Sequence, residues 1–273
     1  MDQLAKQLVE VSSVPDAMMV AARPRDEFRN DYNLIVDICE KLGFLWLAAE
    51  EIANIESKRE FIDGSEWHYL ECSRVKYHVY DCIFNAKAVS DSVSVLLNGL
   101  FGFGYSRGEI DFIKTRKFRR DLISRSEKLG EFWSDYSTWF KNLALFRDAV
   151  IHRQSIPVFI LHPETKVAFD FRPVGVEIVD GKETLNFGLA AGSSGFVPTL
   201  NLKFKGSQVI APWKPSYVMP KDIISYDHLS SKNEVKFDDF QDVLGFCRAA
   251  FDRLRGLSEI AFSETLNVIT RRG

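Results

Sequence analysis

Apolar side chains recur at helical spacing through the first half of the chain. Leu4, Leu8 and Val11 predict a short first helix that stops at Ser12-Ser13-Val14-Pro15. After a break at Arg23-Pro24-Arg25, a stripe from Phe28 and Tyr32 through Ile35, Ile38, Leu42, Leu45, Ala49 and Ile52 to Ile55 predicts a helix over about 26–58. A second long stripe runs from Trp67 through Glu71, Val75, Val79, Cys82, Ala86, Val89 and Val93 to Leu96, and the glycines of NGLFGFG end it. A shorter helix is expected over about 108–129, with its stop at Gly130. Phe132, Tyr136, Phe140, Leu143, Phe146 and Val150 then share one face of a further helix, which Pro157 keeps from running much beyond. Amphipathic helices of this length joined by short turns predict an antiparallel bundle.

The pattern changes after Pro157. VFIL is a short apolar run, VAFDF and VGVEIV alternate, Asp180-Gly181 is hairpin-turn chemistry, and TLNLKFK sends Leu200, Leu202 and Phe204 to one face. These predict a small antiparallel sheet over 157–218, with AAGSSG and PWKPSYVMP as its loops. Helical spacing returns from Phe237 to Ala261, predicting a helix over about 236–262. The expected architecture is mainly α within an α+β chain. It comprises a helical bundle over 1–156, a β subdomain over 157–220, and a C-terminal helical segment over 221–273 that packs on the bundle.

Composition adds bounds. The 273 residues are 46% hydrophobic and 27% charged with 22 Phe, which predicts a folded protein with a bulky core. A net charge of −3 means that any nucleic-acid surface must be a local basic patch. Cys39, Cys72, Cys82 and Cys247 are scattered without a CxxC pair and read as reduced core residues. No apolar window reaches the length of a membrane span and the N-terminus lacks the apolar core of a signal peptide, so a cytoplasmic protein without membrane association is expected.

Several motifs fail on their chemistry. Gly175 to Glu183 has five residues between its glycines and a Glu where a phosphate-binding loop needs Ser or Thr. GFGYSRG lacks the strand that must precede a dinucleotide fingerprint. His68/Cys72 and His78/Cys82 are spaced four apart, but ten residues along a helix separate the pairs by about 15 Å of rise. They cannot share an ion, so no metal and no cofactor is expected.

The constellation that carries chemistry is Arg147-Asp148-Ala149-Val150-Ile151-His152. Chance gives about 0.3 Arg-x4-His pairs in such a chain, and about 0.04 when Asp, Asn or His must follow the Arg. A second feature is segment 106–128, where eight basic residues stand against four acidic ones. Lys114, Arg116, Lys117, Arg119 and Arg120 make it the best candidate for a surface that tracks RNA phosphates, although such a run also suits a solvated helix face.

Over about residues 26–155 the chain resembles the HEPN superfamily (higher eukaryotes and prokaryotes nucleotide-binding). These are helical bundles whose last core helix carries an Arg, a polar residue and then a His. The resemblance places those roles on Arg147, Asp148 and His152. It implies a metal-independent endoribonuclease of toxin or defence type, acting as a homodimer on RNA and open to control by an antitoxin-like protein partner. The alternative it implies is a catalytically silent interaction or nucleotide-binding module.

The residue types suit the first reading. His exchanges protons near neutral pH, and Arg offers a planar fork of donors to phosphate oxygens. Asp148, four residues before His152, is placed to hold the imidazole in one tautomer. Arg147 lies about 140° around the helix from His152, which favours a second copy across a groove. The plainer reading is a surface ion pair at Arg147 and Asp148, with His152 capping the helix dipole.

Overall fold

The computed structural model describes residues 29–58, 67–152, 156, 158–161, 168–169, 171–179, 182–189, 216–222 and 240–272. Among them are five helices and six strands. The order is α1 (Arg29–Lys58), α2 (Trp67–Phe101), α3 (Arg116–Arg125), α4 (Glu127–His152), β1 (Phe159–Leu161), β2 (Ala168–Phe169), β3 (Phe171–Val179), β4 (Lys182–Leu189), β5 (Ser216–Pro220), β6 (Phe240–Asp242) and α5 (Val243–Arg272). The chain is mainly helical, as its apolar spacing predicts, and no described helix is long and apolar enough to cross a membrane. The expected helix over Leu4–Val11, the AAGSSG loop and the TLNLKFK strand lie outside the described residues. The described residues fall into two compact units, one drawn from 1–48, 81–148 and 247–273, the other from 49–80 and 149–246. This division does not follow chain order, because it cuts through α1, α2, α4 and α5.

The first unit is helical. Ile35, Ile38, Leu42 and Leu45 of α1 and Cys82, Ala86, Val89 and Leu96 of α2 are wholly buried, so the predicted stripes are the core faces. The two helices are antiparallel. A Cβ on Gly99 would lie 3.9 Å from Asp31 Oδ1, while the Lys41 ammonium donates to Asp37 Oδ2 at 2.5 Å and to Ser92 Oγ at 2.9 Å. Helices α4 and α5 are antiparallel as well: Ser126 Oγ donates to Glu264 Oε1 at 2.8 Å, and the Arg253 guanidinium lies 5.3 Å and 5.0 Å from the ring centres of Tyr136 and Trp139.

The expected helix over 108–129 is corrected. Residues 102–115 form a connection of turns, and α3 occupies only Arg116–Arg125. Gly102 and Gly104 take positive φ of 65° and 69°, the region that lets the chain reverse after α2. Asp111 Oδ1 then accepts the N–H groups of Ile113 and Lys114, both at 2.8 Å, a side-chain turn that competes with helix formation. The stop is at Ser126, whose backbone is extended, and not at Gly130. Gly130 lies inside α4, where a Cβ would come within 3.1 Å of Ile123 Cγ2. Its missing side chain serves a close approach to α3.

Tyr105 holds the connection to α3 by donating its hydroxyl to the Asp121 carboxylate. That bond lowers the Asp121 pKa from its ordinary 3.8 and raises the Tyr105 phenol from 10.0. A depressed carboxyl contributes stability that is present above its unfolded value and lost as acid protonates the folded group. A raised phenol contributes stability that is present below its unfolded value and lost as alkali ionises it. Tyr105→Phe is therefore expected to lower the urea midpoint at neutral pH and to converge with wild type at both extremes. A constant offset from acid to alkali would show that the bond contributes nothing.

In the second unit, four antiparallel strands run in the order β2-β1-β5-β6, and β3 and β4 form a separate hairpin. The hairpin closes with Val179 opposite Lys182 across residues 180–181, as Asp180-Gly181 predicts, and its register shifts between Pro173 and Gly175. Two expectations are corrected here. Residues 216–220, read as loop because of the flanking prolines, form β5, paired with β1 through Phe159–Val218 and with β6 through Val218–Asp242. Tyr217, Val218 and Met219 are buried, and Tyr217 N–H donates to Glu56 Oε1 at 3.2 Å. The last helix begins at Val243, because residues 240–242 pair as β6, and it runs on to Arg272.

Asp242 caps that helix by accepting the Gly245 N–H at 2.5 Å. Asp242→Ala is expected to cost about 1 kcal/mol, the usual worth of an N-cap, read as a lower urea midpoint. An unchanged midpoint would remove the cap from the account.

Candidate functional site

Helix α4 presents the Arg147–His152 segment because its apolar positions fix the roll of the rod. Phe140, Leu143, Phe146 and Ala149 are buried, leaving Arg147 and Asp148 half-buried and Ile151 and His152 exposed at the helix end. The boundary between the compact units falls between Asp148 and Ala149. The ion pairs described next belong wholly to the first unit.

Asp148 does not hold His152. It accepts from Lys114 Nζ through Oδ2 at 2.7 Å and from Arg147 Nη1 through Oδ1 at 3.3 Å. Among the described residues, no side chain is hydrogen-bonded to the His152 ring. The expected carboxylate–imidazole pair is therefore replaced by a carboxylate between two cations. Partial burial pushes the Asp148 pKa up, but the bond and charge of Lys114, followed by those of Arg147, outweigh it and leave the carboxyl below its ordinary 3.8. The group is anionic at neutral pH, and the three side chains carry one net positive charge.

Lys114 reaches Asp148 because the connection before α3 is anchored on its buried side. Lys87 on α2, only 8% exposed, pairs with Asp91 and reaches Asp111 Oδ2 at 3.3 Å. Ser94 Oγ accepts the Phe112 N–H at 3.1 Å, and the Phe112 ring packs edge-on to Trp133 and Phe140 of α4. Lys87 and Ser94 carry no local sequence signal as supports of this connection, since Asp111 and Phe112 lie 24 and 18 positions away.

The remaining basic residues separate by role. Arg119 is half-buried; its Nη1 donates to the carbonyls of Phe112 at 3.0 Å and Ile113 at 2.7 Å, and its guanidinium lies 4.2 Å from the Trp133 ring centre. Burial lowers its pKa from the ordinary value. These bonds tie Arg119 to the fold and leave it little reach toward an RNA strand. Arg116, Lys117 and Arg120 are exposed, with Lys117 Nζ 5.2 Å from the Tyr105 ring centre and Arg120 Nε 3.4 Å from Asp121 Oδ1. The first turn of α3 contains no acidic residue, and Thr115 makes no side-chain cap bond.

No protein-family model, curated protein or solved structure matches the chain.

Among the described residues, no group of three or more His, Cys, Asp and Glu could hold a metal ion. Cys72 and Cys82 are buried, and the side chain of His68 lies outside the described residues. Cys39 is partly buried, and burial pushes its thiol up to about 11, which leaves it unreactive at neutral pH. Chemically, the first unit offers an ammonium from the connection before α3 and a guanidinium from α4 around Asp148, and the last residue of α4 is an exposed imidazole.

Proposed function

We propose that the protein is a metal-independent endoribonuclease of the HEPN type, cleaving RNA at the end of α4. The single observation that carries this reading is the arrival of Lys114 beside Arg147 and Asp148, on the helix whose last residue is the exposed His152. Two features that stand apart in the sequence, the basic run and the Arg147–His152 segment, thereby meet. Cleavage needs a proton removed from the ribose 2′-hydroxyl, attack of that oxygen on phosphorus, and a proton delivered to the departing 5′-oxygen. The products are a 2′,3′-cyclic phosphate and a 5′-hydroxyl, with no net proton change. His152 serves the proton transfers, and Arg147 and Lys114 stabilise the charge on the phosphoryl oxygens.

The exposed cations of α3 support the same reading. Arg116 and Lys117 stand in the first turn of a helix, where the macrodipole disfavours positive charge by about 0.3–1 kcal/mol each. A bound polyanion relieves that repulsion. A homodimer is part of the proposal, since Arg147 and His152 diverge around the helix and a second copy would complete the groove. A toxin or defence role, held in check by an antitoxin-like protein, belongs to the same proposal.

A second reading is a catalytically silent interaction or nucleotide-binding module. Its support is the ion pairing of both Lys114 and Arg147 with Asp148, which offsets half of their charge. Incubating the full chain with mixed RNA in EDTA decides between them. Cleavage with cyclic-phosphate ends is expected; RNA that stays intact favours the silent module.

A further inference from the structure

Asp148 lies where an external anion would also fit. The Lys114 ammonium engages one carboxylate oxygen and the Arg147 guanidinium the other. The side chains of Lys114, Arg147 and Asp148 remain 48%, 37% and 36% exposed. Two cations on the two oxygens of one small planar anion is the arrangement by which Lys and Arg take adjacent phosphate oxygens. The backbones that carry the two cations are held without Asp148. The backbone of Lys114 is fixed through its N–H to Asp111 Oδ1 and through the pairing of Asp111 with buried Lys87. Arg147 is set by its place in α4. Ion pairs this exposed are weak, whereas a polyanion brings the field of its neighbouring phosphates with it.

We propose that Lys114 and Arg147 form a phosphodiester-binding pair that Asp148 occupies in the ligand-free protein, so that a single-stranded nucleic acid must displace the chain's own carboxylate. The inference rests on the proposed function for placing RNA at this helix end, but it concerns binding and not cleavage. Asp148 then acts as an internal competitor that weakens loose association with nucleic acid.

Fluorescence anisotropy with a labelled single-stranded deoxyoligonucleotide at low ionic strength tests this, because that probe lacks the 2′-hydroxyl and cannot be cut by the proposed route. Asp148→Asn is expected to bind about five- to tenfold more tightly than wild type. Glu131→Gln makes the same charge change at an exposed position of the same helix and is expected to shift affinity less than about twofold. Lys114→Ala alone should bind about threefold more weakly than wild type, and the Lys114→Ala/Asp148→Asn double variant should lose the gain.

The inference is overturned if Asp148→Asn binds no more tightly than Glu131→Gln, or if its gain survives in the double variant. Wild-type protein that leaves RNA intact sinks the ribonuclease reading alone. Cleavage without a gain in Asp148→Asn sinks the competitor alone.

Discussion

His152→Ala is expected to lower the proposed EDTA-resistant RNA cleavage by about 10²- to 10⁴-fold, the usual loss when a general acid–base group is removed. The side chain is exposed at the last residue of α4, and no described side chain is bonded to it. Truncation there leaves no cavity and is expected to change stability by no more than about 0.5 kcal/mol. A fall in rate without a fall in urea midpoint therefore reports chemistry. The assay requires initial rates on one RNA with the chelator present throughout, run beside wild type and Arg147→Ala. Arg147→Ala should weaken substrate binding as well as the rate, because it removes the proposed phosphate contact. A His152→Ala protein as active as wild type would remove the imidazole from the mechanism.

Phe140→Ala is the largest stability effect expected, about 3–5 kcal/mol. The ring is wholly buried, with Phe112, Phe132, Trp133 and Trp139 centred 6.2, 5.8, 6.3 and 5.0 Å away. Removing it leaves a void edged by rigid aromatic rings that cannot collapse as aliphatic chains do. Phe112 belongs to the connection that delivers Lys114, so the variant should also weaken oligonucleotide binding at temperatures where it remains folded. Phe140→Leu retains much of the volume and should cost less than half as much. Urea unfolding followed by tryptophan fluorescence measures both; a loss under about 1 kcal/mol for Phe140→Ala would mean that the cluster repacks.

Long periodic elements were legible because burial in the helical core has one dominant period. The stripe from Ile35 to Ile55 and that from Val75 to Leu96 became α1 and α2 almost to their ends. What escaped depended on contacts distant in sequence. Ser126 ends a helix through its extended backbone and its bond to Glu264, 138 positions later, whereas Gly130 carries the composition of a stop and lies inside α4. Ser216–Pro220 became a strand because β1 and β6 pair with it on both sides, which outweighs the prolines around it.

The site follows the same logic. The Arg-Asp-x-x-x-His spacing was visible along one helix, and so was the basic run. The spacing points Asp148 at His152 four residues on, whereas its partner is a lysine 34 positions upstream that only the folded connection brings near. In sequence Arg119 is one of many cations in the basic run, and only its carbonyl partners and the Trp133 ring set it apart.

The pairing of α4 with α5 shapes how the chain matures on the ribosome. Tyr136 and Trp139 are synthesised 117 and 114 residues before Arg253, the cation that lies over them. At about 5–20 residues per second, those rings wait roughly 6–23 s for their cover. Throughout that interval the nascent chain displays an aromatic surface that chaperones and other nascent chains can bind. A fragment ending at residue 156, although it contains the whole Arg147–His152 segment, would never gain the Arg253 guanidinium over those rings.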